Sequence, residues 1–173
     1  MPGIVLVLRL VHIFAGVFWA GSAMALAGFF EPAIRRSGPE GGRVMQNLAS
    51  HTRYSMAMGM AAALATLAGL WLFWIDSGGL NPAWISTGTG LTLTIGGAAG
   101  IAAAVIGFTV QFRASRRLER LGGEIARSGG PPTTAQAQEV QRLQATLRAG
   151  GRWVALLLVV TVAAMATARY LAF

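Results

Sequence analysis

One of the two histidines of the chain, His12, lies inside a long apolar run that extends from Ile4 to Phe30. A membrane-spanning helix needs roughly 20 apolar residues, and an ionisable side chain within one costs roughly 2.5–3.5 kcal/mol on insertion scales. A histidine kept at such a cost usually ligates a metal or haem, or transfers protons. The position of His12 therefore predicts a redox or cofactor site, and the alternative is a hydrogen-bonded structural histidine.

The residues that share a helical face with His12 favour the same interpretation. Positions three or four apart lie on one face of a helix, and here they form a stripe of Arg9, His12, Gly16, Trp19 and Ala23. A stripe that carries Arg and His is expected to face the bundle interior rather than lipid. Gly16 leaves room beside the imidazole for a bulky group, and Trp19 is placed to pack against that group.

The composition indicates what holds this stripe in place. Of 173 residues, 54% are hydrophobic and only 12% are charged, whereas soluble domains carry about 25% charged residues. Four apolar runs are each long enough for one span, and their lack of period-2 alternation favours helices over a barrel. We predict an all-α membrane protein of one domain, 1–173, an antiparallel four-transmembrane-helix bundle with spans at about 4–30, 52–75, 87–112 and 152–173.

Several kinds of chemistry are excluded by residue types that the chain lacks. It has no cysteine, and all 14 of its basic residues are arginine. Disulfides, thiolate-bound zinc, iron–sulfur clusters, lysine Schiff bases and phosphate-binding P-loops are thus excluded. No Ser/His/Asp or paired-carboxylate arrangement emerges. The net charge of +8 reflects arginines near the span ends, which membrane topology and anionic lipid explain better than nucleic acid does.

The arginines also predict the orientation of the chain. They cluster after the first span and between the third and fourth spans, whereas the connection 76–86 contains none. By the positive-inside rule, both arginine-bearing segments are cytoplasmic. Both termini and the connection 76–86 are then expected outside, in a multi-pass protein of the bacterial cytoplasmic (inner) membrane.

The two arginine-bearing segments are predicted to be partly helical. The second helix is expected to start near Pro39-Glu40, since Ser37 followed by Glu40 fits a capping box. Between the third and fourth spans we predict a cytoplasmic helical hairpin at about 113–150, the alternative being a flexible basic linker. The turn signal is Gly129 to Pro132, and Thr133 or Thr134 can cap the returning helix. Each arm also has an apolar face, formed by Leu118, Leu121 and Ile125 on the first arm and by Val140, Leu143 and Leu147 on the second.

Small residues at four-residue spacing predict close helix contacts. They are Gly96, Gly100 and Ala104, followed by Gly107, and also Gly59 with Ala63. Such spacing allows two backbones to approach each other. It is also found where a flat macrocycle slides between helices, but packing is the preferred interpretation.

A second candidate ligand, Met165, emerges from the depth of His12 in the membrane. His12 lies about eight residues from the outer end of the first helix, and Met165 lies eight residues before Phe173. Arg169 is one turn outward from Met165, as Arg9 is from His12. A b-type haem would fit this pattern, with iron between His12 and Met165 and its propionates on the two arginines. The alternatives are a gap-filling methionine and arginines that snorkel to the interface.

The other histidine, His51, is predicted near the cytoplasmic end of the second span. Its axial distance from His12 is roughly 20 Å at 1.5 Å per residue, so the two cannot ligate one iron within one chain. His51 is therefore an interfacial histidine or, alternatively, a ligand of a second haem near the inner face. Two haems would carry electrons across the membrane.

The first span also contains a short motif, Leu10-Val11-His12-Ile13 followed by Trp19-Ala20-Gly21. It resembles the first span of a group of bacterial membrane proteins that includes the CopD copper-resistance family, HemJ-type protoporphyrinogen oxidases and the membrane domain of bacterial urate oxidases. Several members of that group are known or suspected haem b proteins with a functional first-span histidine. The resemblance implies the same role for His12, and it covers chiefly the first span.

Four functions are compatible with these features. The preferred one is a membrane haem b protein for electron transfer, with one or two haems per chain and a quinone or redox protein as partner. A HemJ-like tetrapyrrole oxidase is less favoured, because those enzymes also use an intramembrane lysine. A copper transport or resistance component is less favoured, because the connection 76–86 has neither Met nor His. The fourth is a cofactor-free structural subunit, and a homodimer is open in every case.

Overall fold

The computed structural model describes residues 2–50 and 53–171. Within them there is no strand, and four helices are long and apolar enough to cross a membrane. The helices are α1 (Pro2–Ala25), α2 (Glu31–Arg36), α3 (Gly38–Ser50), α4 (Tyr54–Asp76), α5 (Pro82–Ile85), α6 (Gly88–Ile106), α7 (Phe112–Ser128) and α8 (Thr134–Thr167). The predicted all-α membrane bundle with four spans is thus confirmed.

The four spans are α1, α4, α6 and α8, and they pack around one core made mainly of alanine. α1 packs along α4 and α6 along α8, and contacts between α1 and α8 and between α4 and α6 close the ring. The larger side chains of this core are Trp19, Leu158 and Val154. The other buried residues of the cluster are alanines: Ala20, Ala23, Ala61, Ala62, Ala65, Ala103 and Ala104. Because alanine side chains are short, the helix backbones can approach closely, as is common in membrane bundles.

The outer surface of the bundle carries large apolar side chains. Phe14 is 72% exposed and Trp71 is 61% exposed, and similar side chains cover the other spans. At most 28% of the residues in each apolar window are buried within the protein. The rest of the apolar surface therefore suits contact with a lipid bilayer rather than water.

The close helix contact predicted at Gly96 and Gly100 is confirmed, and the structure identifies the fourth span as its partner. A Cβ added at Gly96 would lie 2.8 Å from the Cβ of Ala164, and one at Gly100 would lie 3.4 Å from Cγ2 of Thr161. The Thr161 hydroxyl donates a hydrogen bond of 3.0 Å to the carbonyl oxygen of Gly96. This spacing therefore serves helix packing. The corresponding predictions for Gly107 and for Gly59 with Ala63 are wrong, because nothing lies within 4 Å of a Cβ added at Gly107 or at Gly59.

Two neighbouring glycines provide a test of this contact. Gly96→Ala is expected to lower the free energy of unfolding by about 1–3 kcal/mol, because the new methyl group forces α6 and α8 apart. Gly97→Ala is expected to raise it by about 0.5–1 kcal/mol, since a Cβ there meets nothing within 4 Å and alanine is the better helix former. Unfolding in mixed micelles, followed by circular dichroism, measures both. Equal effects at the two positions would contradict the packing.

The first and third spans each contain a π-helical turn near their end and continue as helix beyond it. These turns are Leu26–Phe30 after α1 and Gly107–Gln111 after α6. Arg35 and Arg36 therefore lie on α2, in helical continuation of the first span, where the sequence interpretation placed a loop. The i→i+5 turns escape periodicity analysis, because a continuous apolar run shows no clear periodicity in which the phase shift of one extra residue could be seen. α3 begins at Gly38, close to the predicted start near Pro39. The Ser37 hydroxyl donates to the carbonyl oxygen of Ala33.

The predicted helical hairpin between the third and fourth spans is confirmed. α7 ends at Ser128 before Gly129, which adopts a left-handed conformation with φ 66°. α8 begins after Thr133, whose side chain forms a capping box with Gln136. Leu143 is buried between the two arms. The returning arm and the fourth span are one helix of 34 residues, whereas the sequence suggested a boundary near residue 152.

Candidate functional site

His12 is joined to the second span by a hydrogen bond between its ring and the backbone. Its Nδ1 lies 2.8 Å from the carbonyl oxygen of Ala65 on α4. A carbonyl oxygen only accepts hydrogen bonds, so Nδ1 is the nitrogen that carries the proton. In the neutral imidazole, Nε2 is then the unprotonated atom with a free lone pair. This arrangement fixes the tautomer that a metal-ligating histidine requires.

The ring of His12 lies against Gly69, one turn beyond Ala65. A Cβ added at Gly69 would lie 2.7 Å from Cε1 and 2.9 Å from Nδ1 of His12. Any larger residue would occupy the space of the imidazole. Gly69 thus positions His12, and the hydrogen bond and the glycine together hold the ring in one orientation.

The other ring nitrogen of His12 is not completely covered by the protein. Nε2 has no hydrogen-bond partner among residues 2–50 and 53–171. In that part of the chain, every buried side-chain nitrogen does have a partner. It follows that Nε2 is not buried. One turn along α1, a Cβ added at Gly16 would meet nothing within 4 Å. Gly16 thus borders open space, and whether this space takes a bulky group beside the imidazole stays a prediction.

Trp19 lies deeper in the bundle than expected for a residue that flanks this space. It is 7% exposed and belongs to the core cluster, together with Ala23. Of the described residues 3–18, none is buried. The core of the protein thus begins at Trp19, and His12 lies at its less covered margin.

Met165 lies at a depth similar to that of His12. Trp19 on α1 and Leu158 on α8 belong to the same core cluster. His12 precedes Trp19 by seven residues, and Met165 follows Leu158 by seven, along helices that run in opposite directions. Seven residues are nearly two turns, so Met165 also shares the face of Leu158. That face points toward the core at Leu158, whereas Met165 itself is exposed, at 36%.

The two predicted arginines lie near the same end of the bundle, each with a partner. Arg9 pairs with Asp76 at the end of α4, with 3.7 Å between Nη2 and Oδ1. Arg169 donates to the hydroxyl of Tyr170 and lies 4.7 Å from the centre of its ring. Both arginines are exposed. Each guanidinium is thus available at the surface, and Arg9 already pairs with a carboxylate.

His51 lies outside the described residues, so its role as a second ligand or an interfacial residue stays a prediction. Among the described residues there is no group of three or more His, Cys, Asp or Glu side chains that could hold a metal ion. Such a group would be needed for a metal that is held by protein ligands alone. A haem iron, by contrast, takes only one or two ligands from the protein.

Sequence reasoning did not identify Ala65, Gly69 or Asp76 as part of this site. The available signal was a glycine within the apolar run Tyr54 to Ile75, where alanine would be the better helix former. The run holds two glycines, Gly59 and Gly69, and sequence reasoning chose Gly59 as a contact. Only the rotation and register of α4 against α1 distinguish them.

Comparisons with protein-family models, with curated proteins and with solved structures find no match for this chain.

Proposed function

We propose that this chain is a membrane-embedded haem b protein for electron transfer, with His12 as an axial ligand. The observation that carries the proposal is the hydrogen bond from Nδ1 of His12 to Ala65, which leaves Nε2 with a free lone pair. A purely structural histidine within the bundle would be expected to have a hydrogen-bond partner at each nitrogen. A haem-ligating histidine needs one nitrogen held by a second partner and the other one open.

The surroundings of His12 support the fit of a macrocycle. Gly16 faces open space, and Met165, on the same face of α8 as Leu158, is exposed at a similar depth. Thioether sulfur is a known second axial ligand of haem iron. Arg9 and Arg169 lie toward the same end, where guanidinium groups pair with propionates in bidentate geometry. Asp76 would then compete with a propionate for Arg9.

The residues of this chain would hold and tune such a group. The carbonyl oxygen of Ala65 increases the electron density on the imidazole, and Gly69 keeps the ring from rotating. The apolar helices exclude water, which favours electron exchange over ligand chemistry at iron. When bound, the haem supplies a one-electron couple between ferric and ferrous iron. A quinone dissolved in the bilayer or a redox protein is the proposed exchange partner.

The arginine distribution supports a location in the bacterial cytoplasmic membrane, with both termini outside. The end of the bundle that carries Arg9, Asp76 and the connection 76–86 would face outward. The arms of the α7–α8 hairpin would stand in the cytoplasm. A homodimer in which a second chain covers the open region near Gly16 is compatible with this arrangement.

The purified protein provides the direct test. Reduced-minus-oxidised spectra are expected to show sharp α and Soret bands, with about one haem per chain by pyridine haemochrome and iron analysis. Two haems per chain would support a ligand role for His51 as well. A colourless preparation that does not bind added haemin would contradict the proposal. Copper without iron would favour the copper-handling function, and turnover of protoporphyrinogen would favour a HemJ-like oxidase.

A further inference from the structure

Four arginines lie on one face of α7 where this helix leaves the apolar part of the third span. They are Arg113, Arg116, Arg117 and Arg120. Their spacing of three, one and three residues places all four side chains on one side of the helix. Together with Phe112 they line a groove of about 300 Å³, which we call the arginine groove.

The arginine groove has no carboxylate in its lining. The guanidinium of Arg117 pairs with Glu139 of α8, with Nε 2.9 Å from Oε1. The guanidinium of Arg116 lies 5.7 Å from the centre of the Phe112 ring. Arg113 and Arg120 have no ion pair with any described residue. The groove therefore retains an excess of exposed positive charge, which attracts an anion.

The depth of the groove matches the phosphate layer of a bilayer. The third span, predicted at about 87–112, ends just before these arginines. Arg113 and Arg116 then lie about 1.5 and 6 Å beyond it. The headgroup layer is roughly 5–7 Å thick on each side. Both guanidinium groups can thus reach phosphates of the adjacent leaflet.

We propose that the arginine groove binds the phosphodiester headgroup of an anionic phospholipid. Planar guanidinium groups bind phosphate oxygens in bidentate geometry, and basic pockets at this depth are typical sites for anionic headgroups. Phe108 and Phe112 are 47% and 59% exposed on the adjoining surface. They provide an apolar path for the acyl chains, which a free phosphate would not use.

Lipid retention in detergent tests the proposal. The full-length protein is reconstituted with equal amounts of phosphatidylglycerol and phosphatidylcholine, re-extracted, and analysed by native mass spectrometry. The wild type is expected to retain phosphatidylglycerol preferentially. The double variant Arg113→Gln/Arg116→Gln is expected to retain at least tenfold less of it, because each surface arginine contributes substantially to binding of anionic lipid.

The matched control removes the same charge from the facing helix outside the groove. Arg142→Gln/Arg148→Gln is expected to retain phosphatidylglycerol within twofold of the wild type. An equal loss in both double variants would show a net-charge effect and would overturn the proposal. So would wild-type retention by the groove variant.

Two further arms keep the test decisive. Arg113→Lys/Arg116→Lys keeps the charge and the fold but loses bidentate geometry, and it is expected to retain an intermediate amount of lipid. If the Gln variant does not fold, the proposal stands or falls on this Lys variant, and retention equal to the wild type would overturn it. Inorganic phosphate at millimolar concentration is expected not to displace the lipid. Complete displacement would indicate a soluble-phosphate site instead.

Discussion

His12→Ala is expected to abolish the reduced-minus-oxidised α band of the purified protein. The variant removes Nε2, which is the only atom of α1 proposed to bind iron. The hydrogen bond to Ala65 that it also loses costs only about 1 kcal/mol of stability. The helices should therefore still assemble. Spectra at matched protein concentration, with circular dichroism and gel filtration to verify folding, measure the effect.

Two controls separate ligation from structure. Added imidazole is expected to restore part of the band in His12→Ala, because it can enter the vacated space and supply the missing nitrogen. A purely structural role for His12 would show no such rescue. His51→Ala is expected to leave the band unchanged if His51 is interfacial, and loss of half of the haem would assign it a second site. A full band in His12→Ala would reject the ligand assignment.

Gly69→Ala is expected to weaken haem binding about 10–100-fold, although Gly69 would not itself contact the iron. The added methyl group would lie 2.7 Å from Cε1 of His12, so the ring must rotate and the hydrogen bond to Ala65 must lengthen. Loss of a partner that orients a ligating histidine typically has an effect of this size. Haemin titration of the apoprotein, followed at the Soret band, measures the affinity.

Gly59→Ala is the matched control on the same helix. A Cβ at Gly59 meets nothing within 4 Å, so haem affinity should not change and stability should rise by about 0.5–1 kcal/mol. In Gly69→Ala, the free energy of unfolding is expected to fall by about 1–3 kcal/mol even without haem, because of the steric conflict with His12. Unchanged stability in Gly69→Ala would contradict the packing of His12 against α4, whatever the cofactor proves to be.

Much of the fold follows from local sequence patterns. The four spans are predictable because an apolar stretch of some 20 residues has few alternatives to a membrane helix. The hairpin of α7 and α8 is predictable because Gly129 and Thr133 have backbone and capping preferences that fix its turn. The contact of Gly96 and Gly100 with α8 is predictable because close packing of helices requires small residues.

The details of the site depend on information that these patterns do not contain. The rarity of intramembrane histidine identifies His12, but its partner depends on the rotation of α4 about its own axis. Hydropathy does not fix that rotation, since α4 carries apolar residues on all sides. Gly59 and Gly69 are equivalent by composition, and only Gly69 contacts the imidazole. The ion pair of Arg9 with Asp76 likewise depends on the axial offset of the two helices.

The π-helical turn Gly107–Gln111 determines the direction in which the arginine groove points. Such a turn contains one residue more than the α-helix can accommodate, and each residue of an α-helix advances the azimuth by about 100°. Deleting one residue from this turn would swing all four guanidinium groups about a quarter of a circle around the axis of α7. The π-helical turn thus sets the rotation of the hairpin relative to the membrane-spanning helices, and the gain or loss of a single codon would change that rotation.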